Sequence, residues 1–182
     1  MTLKNSKNKE KVNKKLPKDS IWWDIIGLVI KIGWIGLFFA AVFVFFIGVT
    51  VNNGVSMMPS FHDRDVIFYY RPANDFKAGE AVVYEGKNGE LITGRIIARN
   101  GDTADITSDG VKINGYYRKE DYISGETVLF DGGMKFPVTL SDGEYLILCD
   151  NRSEPSDSRV FGIITQNRIK GRVMISIRQR DF

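Results

Sequence analysis

Few side chains in this 182-residue sequence could carry covalent chemistry. There is one His and one Cys, so a multi-Cys zinc or iron–sulfur site, a disulfide scaffold and a His-rich metal centre are all excluded. The candidate nucleophile is Ser56, in Gly54-Val55-Ser56-Met57-Met58-Pro59-Ser60, five residues past the end of a long uncharged run at Val51. A hydroxyl is a poor nucleophile at neutral pH and needs a base within hydrogen-bond reach. A Lys can be that base only where burial lowers its pKa enough to leave it neutral. Two further segments place charged and turn-forming residues at close spacing: Gly94-Arg95-Ile96-Ile97-Ala98-Arg99-Asn100-Gly101-Asp102, and the stretch from Asp150 to Gly162. Arg95 cannot act as a base, since a guanidinium keeps its proton. His62 reads as an exposed loop imidazole, Asp63 and Asp65 as solvated loop carboxylates, and Lys112 as a surface residue of a hairpin. Cys149 reads as a small buried residue rather than a reactive thiol.

The elements that must position these groups are mostly strands. Val66–Tyr70, Ala81–Tyr84, Leu91–Thr93, Arg95–Ala98, Val111–Ile113, Tyr145–Leu148 and Gly171–Ile177 are short and rich in β-branched or aromatic residues. Asn100-Gly101-Asp102, Asp109-Gly110, Asn114-Gly115, Asp131-Gly132-Gly133 and Asp142-Gly143 separate them as turns. Only Thr165–Ile169 has a short helical pattern past residue 52. The expectation is an all-β, mostly antiparallel domain of sandwich or barrel type over 52–182, preceded by a single transmembrane helix.

That helix belongs to the apolar N-terminal part. Ile32–Val51 contains no charge in 20 residues, enough to cross about 30 Å of hydrocarbon. The anchor is placed at 21–51, with Trp22, Trp23 and Trp34 at the interface. Residues 1–20 hold seven Lys against Glu10 and Asp19, a net charge of +5, while the whole chain carries +3. The basic character therefore lies in the leader, and a nucleic-acid partner is not expected, because a nucleic-acid binder needs its basic face on the folded domain. Lys excess before the span predicts a cytoplasmic tail and an exported C-terminal domain in the cell membrane. The run ends in Gly-Val-Thr-Val-Asn-Asn-Gly without an A-x-A pattern, which favours an uncleaved anchor over a signal peptide.

Four ordered blocks behind such an anchor resemble the bacterial type I signal peptidases. They are Ser56-Met57-Met58-Pro59-Ser60, Ala78–Val83, Arg95 through Gly101-Asp102, and Asp150-Asn151-Arg152 through Asp157-Ser158-Arg159. The resemblance implies a β-rich exported domain on the membrane surface that holds the extended end of a signal peptide as an added strand. It implies Ser56 as the nucleophile position, with Gly54, Val55, Met57, Pro59, Leu91, Ile92 and Thr93 binding substrate. Arg95, Gly101, Asp102, Asp150, Asn151, Arg152, Asp157, Ser158 and Arg159 are its structural motif, and neither cofactor nor metal is implied. The sequence departs from the family at its dyad. The general-base Lys falls at Gly94, the Ser that orients it falls at Pro155, and the Gly opening the last block is Cys149. The chain thus resembles the degenerate, pilus-associated members found in Gram-positive bacteria. The expected role is a non-cleaving accessory factor whose partners are the lipid bilayer and extended segments of exported proteins, pilin or signal peptide. An active peptidase with a substitute base and a regulator of an active signal peptidase are the alternatives. The client and the oligomeric state are not legible.

Overall fold

The computed structural model describes residues 18–178, so most of the Lys-rich tail expected at 1–20 lies outside the described residues. Helix α1 runs Lys18–Phe46. Within it Ile21–Phe46 is long and apolar enough to cross a membrane. The span expected to reach Val51 stops five residues earlier, because Ile47–Val51 forms strand β1. Val49, Thr50 and Val51 are β-branched, and the strand pairs residue for residue with β2 (Val66–Tyr70), from Ile47 opposite Tyr70 to Val51 opposite Val66. Gly48 is required there, since a Cβ would run into the Tyr69 ring.

The remaining strands are β3 (Ala81–Glu85), β4 (Leu91–Ala98), β5 (Thr103–Thr107), β6 (Gly110–Ile113), β7 (Tyr116–Tyr117), β8 (Val138–Thr139), β9 (Glu144–Leu148), β10 (Ile164–Thr165) and β11 (Ile169–Ile177). They form a seven-stranded sheet in the order β1-β2-β11-β3-β4-β9-β10 and a four-stranded sheet in the order β7-β6-β5-β8. Every strand ladder is antiparallel, as the strand-turn alternation of the sequence predicts. The Asn114-Gly115 turn has φ of 53° and 86°, the left-handed pair that a two-residue hairpin between β6 and β7 demands. A 3-10 turn over Gln166–Arg168 accounts for the short helical pattern.

Among the described residues three apolar clusters are buried, and two of them hold most of the core. Val82, Tyr84, Ile96, Ile147 and Ile164 pack with Phe76 and Tyr145. Ile97, Ala98, Leu146 and Leu148 of the large sheet meet Ala104, Ile106 and Val111 of the small one, so the two sheets share a core. The ladders leave one gap. β4 pairs with β3 from Leu91 to Arg95, but its ladder to β9 begins only at Arg95. On that side Leu91–Thr93 has no strand partner among the described residues.

Candidate active site

Arg95 draws the separate sequence blocks together. Its guanidinium donates to the fully buried Asp150 carboxylate at 2.8 and 2.5 Å, to the Gly79 carbonyl at 2.8 Å and to Ser60 Oγ at 3.1 Å. The Tyr122 ring covers it, 4.2 Å from its centre. A planar fork with five donors can hold several acceptors in this way, whereas an ammonium could not. Next to Asp150, the Asn151 N–H donates to the Ser56 carbonyl at 2.9 Å and its side-chain amide to the Val55 carbonyl at 3.3 Å. The loop bearing Ser56 is thereby fastened to the Asp150 segment.

The last block is a framework of buried charge. Arg152 makes a two-pronged pair with Glu120, at 2.6 and 3.0 Å, and Arg159 pairs with Asp157 at 2.8 Å. Asp157 caps the short helix α2 (Ser158–Phe161) through the Arg159 N–H and also accepts from the Cys149 N–H. Ser158 Oγ accepts from the Ile147 N–H. Side chains thus take over the acceptor role of a strand along part of β9. Gly101 and Asp102 serve a separate corner: their backbones exchange bonds with Leu140, and Asp102 holds the Arg99 N–H and the Asn114 amide.

Beside Ser56 lies a groove of about 360 Å³. Val51–Ser56 and Glu90–Thr93 line it together with Glu154, Ser156 and Phe161. The unpaired edge of β4 is therefore part of the groove. Of the residues the resemblance assigns to substrate binding, Gly54, Val55, Leu91, Ile92 and Thr93 line this groove, whereas Met57 and Pro59 do not. Met57 is wholly buried and Pro59 is exposed, so neither is a lining residue.

Gly94, on β4, directs its missing side chain away from Arg95. A Cβ built there would lie 2.5 Å from Ile147 Cγ2 and 3.1 Å from Tyr84 Cε1. Both side chains are fully buried and occupy the space a longer residue would need. Tyr84 Oη donates to the Ser156 carbonyl at 3.4 Å, and the Cys149 thiol meets the same carbonyl at 3.5 Å while facing the Ser56 hydroxyl. Burial, with the Asp157 carboxylate behind it, pushes the Cys149 thiol up to about 12, and burial also raises the Tyr84 phenol well above its usual range. Both groups keep their protons at neutral pH and cannot take one from Ser56. Among the described residues, the Ser56 hydroxyl has no amine or imidazole partner.

His62 is held elsewhere: its Nδ1 lies 2.6 Å from Arg178 Nη2. Asp65, expected in solvent, is 1% exposed and accepts from the His62 N–H, because the turn after Ser60 folds its carboxylate inward. Asp63 is exposed and takes the Gly54 N–H at 2.6 Å. Lys112 stands over the Tyr117 ring in the small sheet. Cys149 is buried as expected.

Sequence reasoning passed over Tyr84, Ile147, Glu90, Glu154 and Phe161. For Tyr84 a signal existed. Val82 pairs with Gly94 and Ile92 with Tyr84, so the period of two puts Tyr84 diagonally across from Gly94 on the same face.

A family model for signal peptidase, peptidase S26, matches residues 25–177. A signal peptidase I of Bacillus amyloliquefaciens is 36% identical over 134 residues, covering 66% of this chain and 70% of its own length. One from Bacillus licheniformis is 34% identical over 131 residues, covering 65% and 70%. A crystal structure of a signal peptidase I from Enterococcus faecalis V583 matches with a TM-score of 0.45 at 25% identity, covering 55% of this chain and 97% of that chain.

Proposed function

We propose, because this chain belongs to the signal peptidase family, peptidase S26, and Gly94 leaves its Ser56 without an amine, that it holds extended segments of exported proteins without cutting them. The observation that carries this reading is the filled space at Gly94, where Ile147 and Tyr84 close on the backbone and leave no volume for a base. Removing half of an obligate nucleophile pair costs about 10⁶ in rate, which leaves no useful protease. The groove is a separate matter. Leu91–Thr93 still offers an unpaired strand edge in the groove that Val51–Ser56 also lines, and an extended segment can add to such an edge through main-chain hydrogen bonds. Each such bond nets only about 0.5–1.5 kcal/mol against water, so modest affinity is expected.

In this reading the α1 anchor tethers the domain to the membrane with the Lys tail in the cytoplasm and residues 52–182 outside. Pilins assembling into surface fibres are the clients to which the sequence resemblance points. The test is cleavage of a preprotein by the full chain in lipid. No product is expected, from the parent or from Ser56→Ala. Turnover that vanishes in Ser56→Ala would refute the reading and restore the active-peptidase alternative.

A further inference from the structure

The charges of the groove point to a particular class of occupant. Among the described residues Glu90 and Glu154 are its charged lining residues, with no Lys, Arg or His beside them. Lys87 stands over the Phe161 ring at 5.7 Å and is not part of the lining. The two carboxylates differ in what holds them. Glu90 is exposed and accepts from the Asn88 N–H at 2.9 Å, within its own hairpin. Glu154 is half-buried, and its carboxylate has no hydrogen bond or ion pair among the described residues. Its backbone is nevertheless fixed. The buried Arg159 donates to its carbonyl at 2.8 Å, its N–H donates to the Asn151 carbonyl at 3.1 Å, and Pro155 restricts it from the C-terminal side.

We propose that the groove selects extended segments bearing a lysine or arginine, with Glu154 as the residue that takes the cation. The inference rests on the reading of this groove as a strand-addition site. Its physical basis is desolvation. A segment laid along Leu91–Thr93 covers Glu154 further, and a half-buried carboxylate without a counter-charge loses hydration that nothing replaces. A neutral segment bears that loss, an acidic one adds repulsion, and a basic one offsets it. Val55, Leu91 and Phe161 give the same groove apolar surface for the aliphatic stem of such a side chain. Selection therefore comes from penalising the wrong segment as much as from attracting the right one. Glu90 adds to the field without offering a fixed seat.

The experiment uses the full chain in zwitterionic detergent micelles and fluorescein-labelled ten-residue peptides of Ala, Ser and Val. One residue is varied among Lys, Gln and Glu at each of the four central positions in turn, and anisotropy reads the affinity. At the best position Lys should bind about three- to tenfold tighter than Gln, and Glu weaker still. Glu154→Gln should erase the difference between Lys and Gln, and Glu154→Lys should favour the Glu peptide, with melting temperatures confirming that both variants fold. Equal affinity for the three peptides would overturn the selection while the strand-addition reading stands. A Lys preference that survives Glu154→Gln would overturn the role of Glu154. Binding of no peptide at all would overturn strand addition itself, and the selection with it.

Discussion

Gly94→Ala adds one methyl group at the point where the dyad amine is missing, and it measures how firmly that space is closed. The new Cβ would stand 2.5 Å from Ile147 Cγ2 and 3.1 Å from Tyr84 Cε1, against ordinary contact with the Leu148 carbonyl at 3.7 Å. Neither neighbour can retreat easily. Ile147 is 0% exposed, and its N–H is held by Ser158 Oγ at 3.0 Å. Tyr84 is 1% exposed and packs in the same cluster. Overpacking of this kind costs about 1–3 kcal/mol, which in a domain of this size lowers the melting temperature by about 2–4 °C per kcal/mol. Ile147→Ala alone should cost about 2–5 kcal/mol, as large-to-small core changes do. In that background the obstructing methyl is gone, so Gly94→Ala should cost nothing or recover some stability by occupying the vacated volume. The cycle should thus show coupling of about 1–3 kcal/mol, within the range seen for residues in contact. Thermal and urea melts of the four proteins in micelles, followed by near-UV circular dichroism, supply the numbers. A Gly94→Ala protein that melts with the parent, or additive effects in the double variant, would refute the closed pocket.

The same closure means that Gly94→Lys combined with Pro155→Ser should produce no cleavage in the preprotein assay; turnover by that pair would show that the amine finds room. Cys149 should resist alkylation at pH 8 until the domain unfolds, since its thiol is pushed up to about 12; rapid labelling of the native protein would contradict its burial. The folded state keeps that proton where the unfolded chain, with a thiol near pH 8.5, releases it. Stability should therefore fall as pH rises from about 8.5 to 12, by at most about 1.4 kcal/mol per pH unit for this group, and Cys149→Ala should flatten that slope. Arg95→Ala leaves Asp150 buried without its partner and should cost about 3–5 kcal/mol; an unchanged urea midpoint would remove Arg95 from its central place.

The order of elements was legible along the chain because its signals are local. Alternating β-branched runs and Asn-Gly or Asp-Gly turns mark β2, β3, β6, β9 and β11 without reference to anything distant, whereas β4 reads as two strands divided at Gly94 and the more polar β5 is not marked. β1 reads as membrane span because Ile47–Val51 is as apolar as the helix before it, and only pairing with β2 makes it a strand. The short β7, β8 and β10 exist through their neighbours in the same way. At the site, residue identity alone shows that position 94 carries no titratable group and that the block from Asp150 is rich in paired charge. It does not show that Arg95 reaches Asp150 and Ser60 at once, that Asp65 is buried, or that Met57 turns away from the groove. Those depend on contacts between residues far apart in sequence. The closing of Tyr84 and Ile147 over Gly94 and the unpaired Glu154 carboxylate in the groove are of the same kind. A missing side chain is written in the sequence, but what fills its place is decided by packing, because interiors tolerate no void and only the assembled sheets determine which neighbours are at hand.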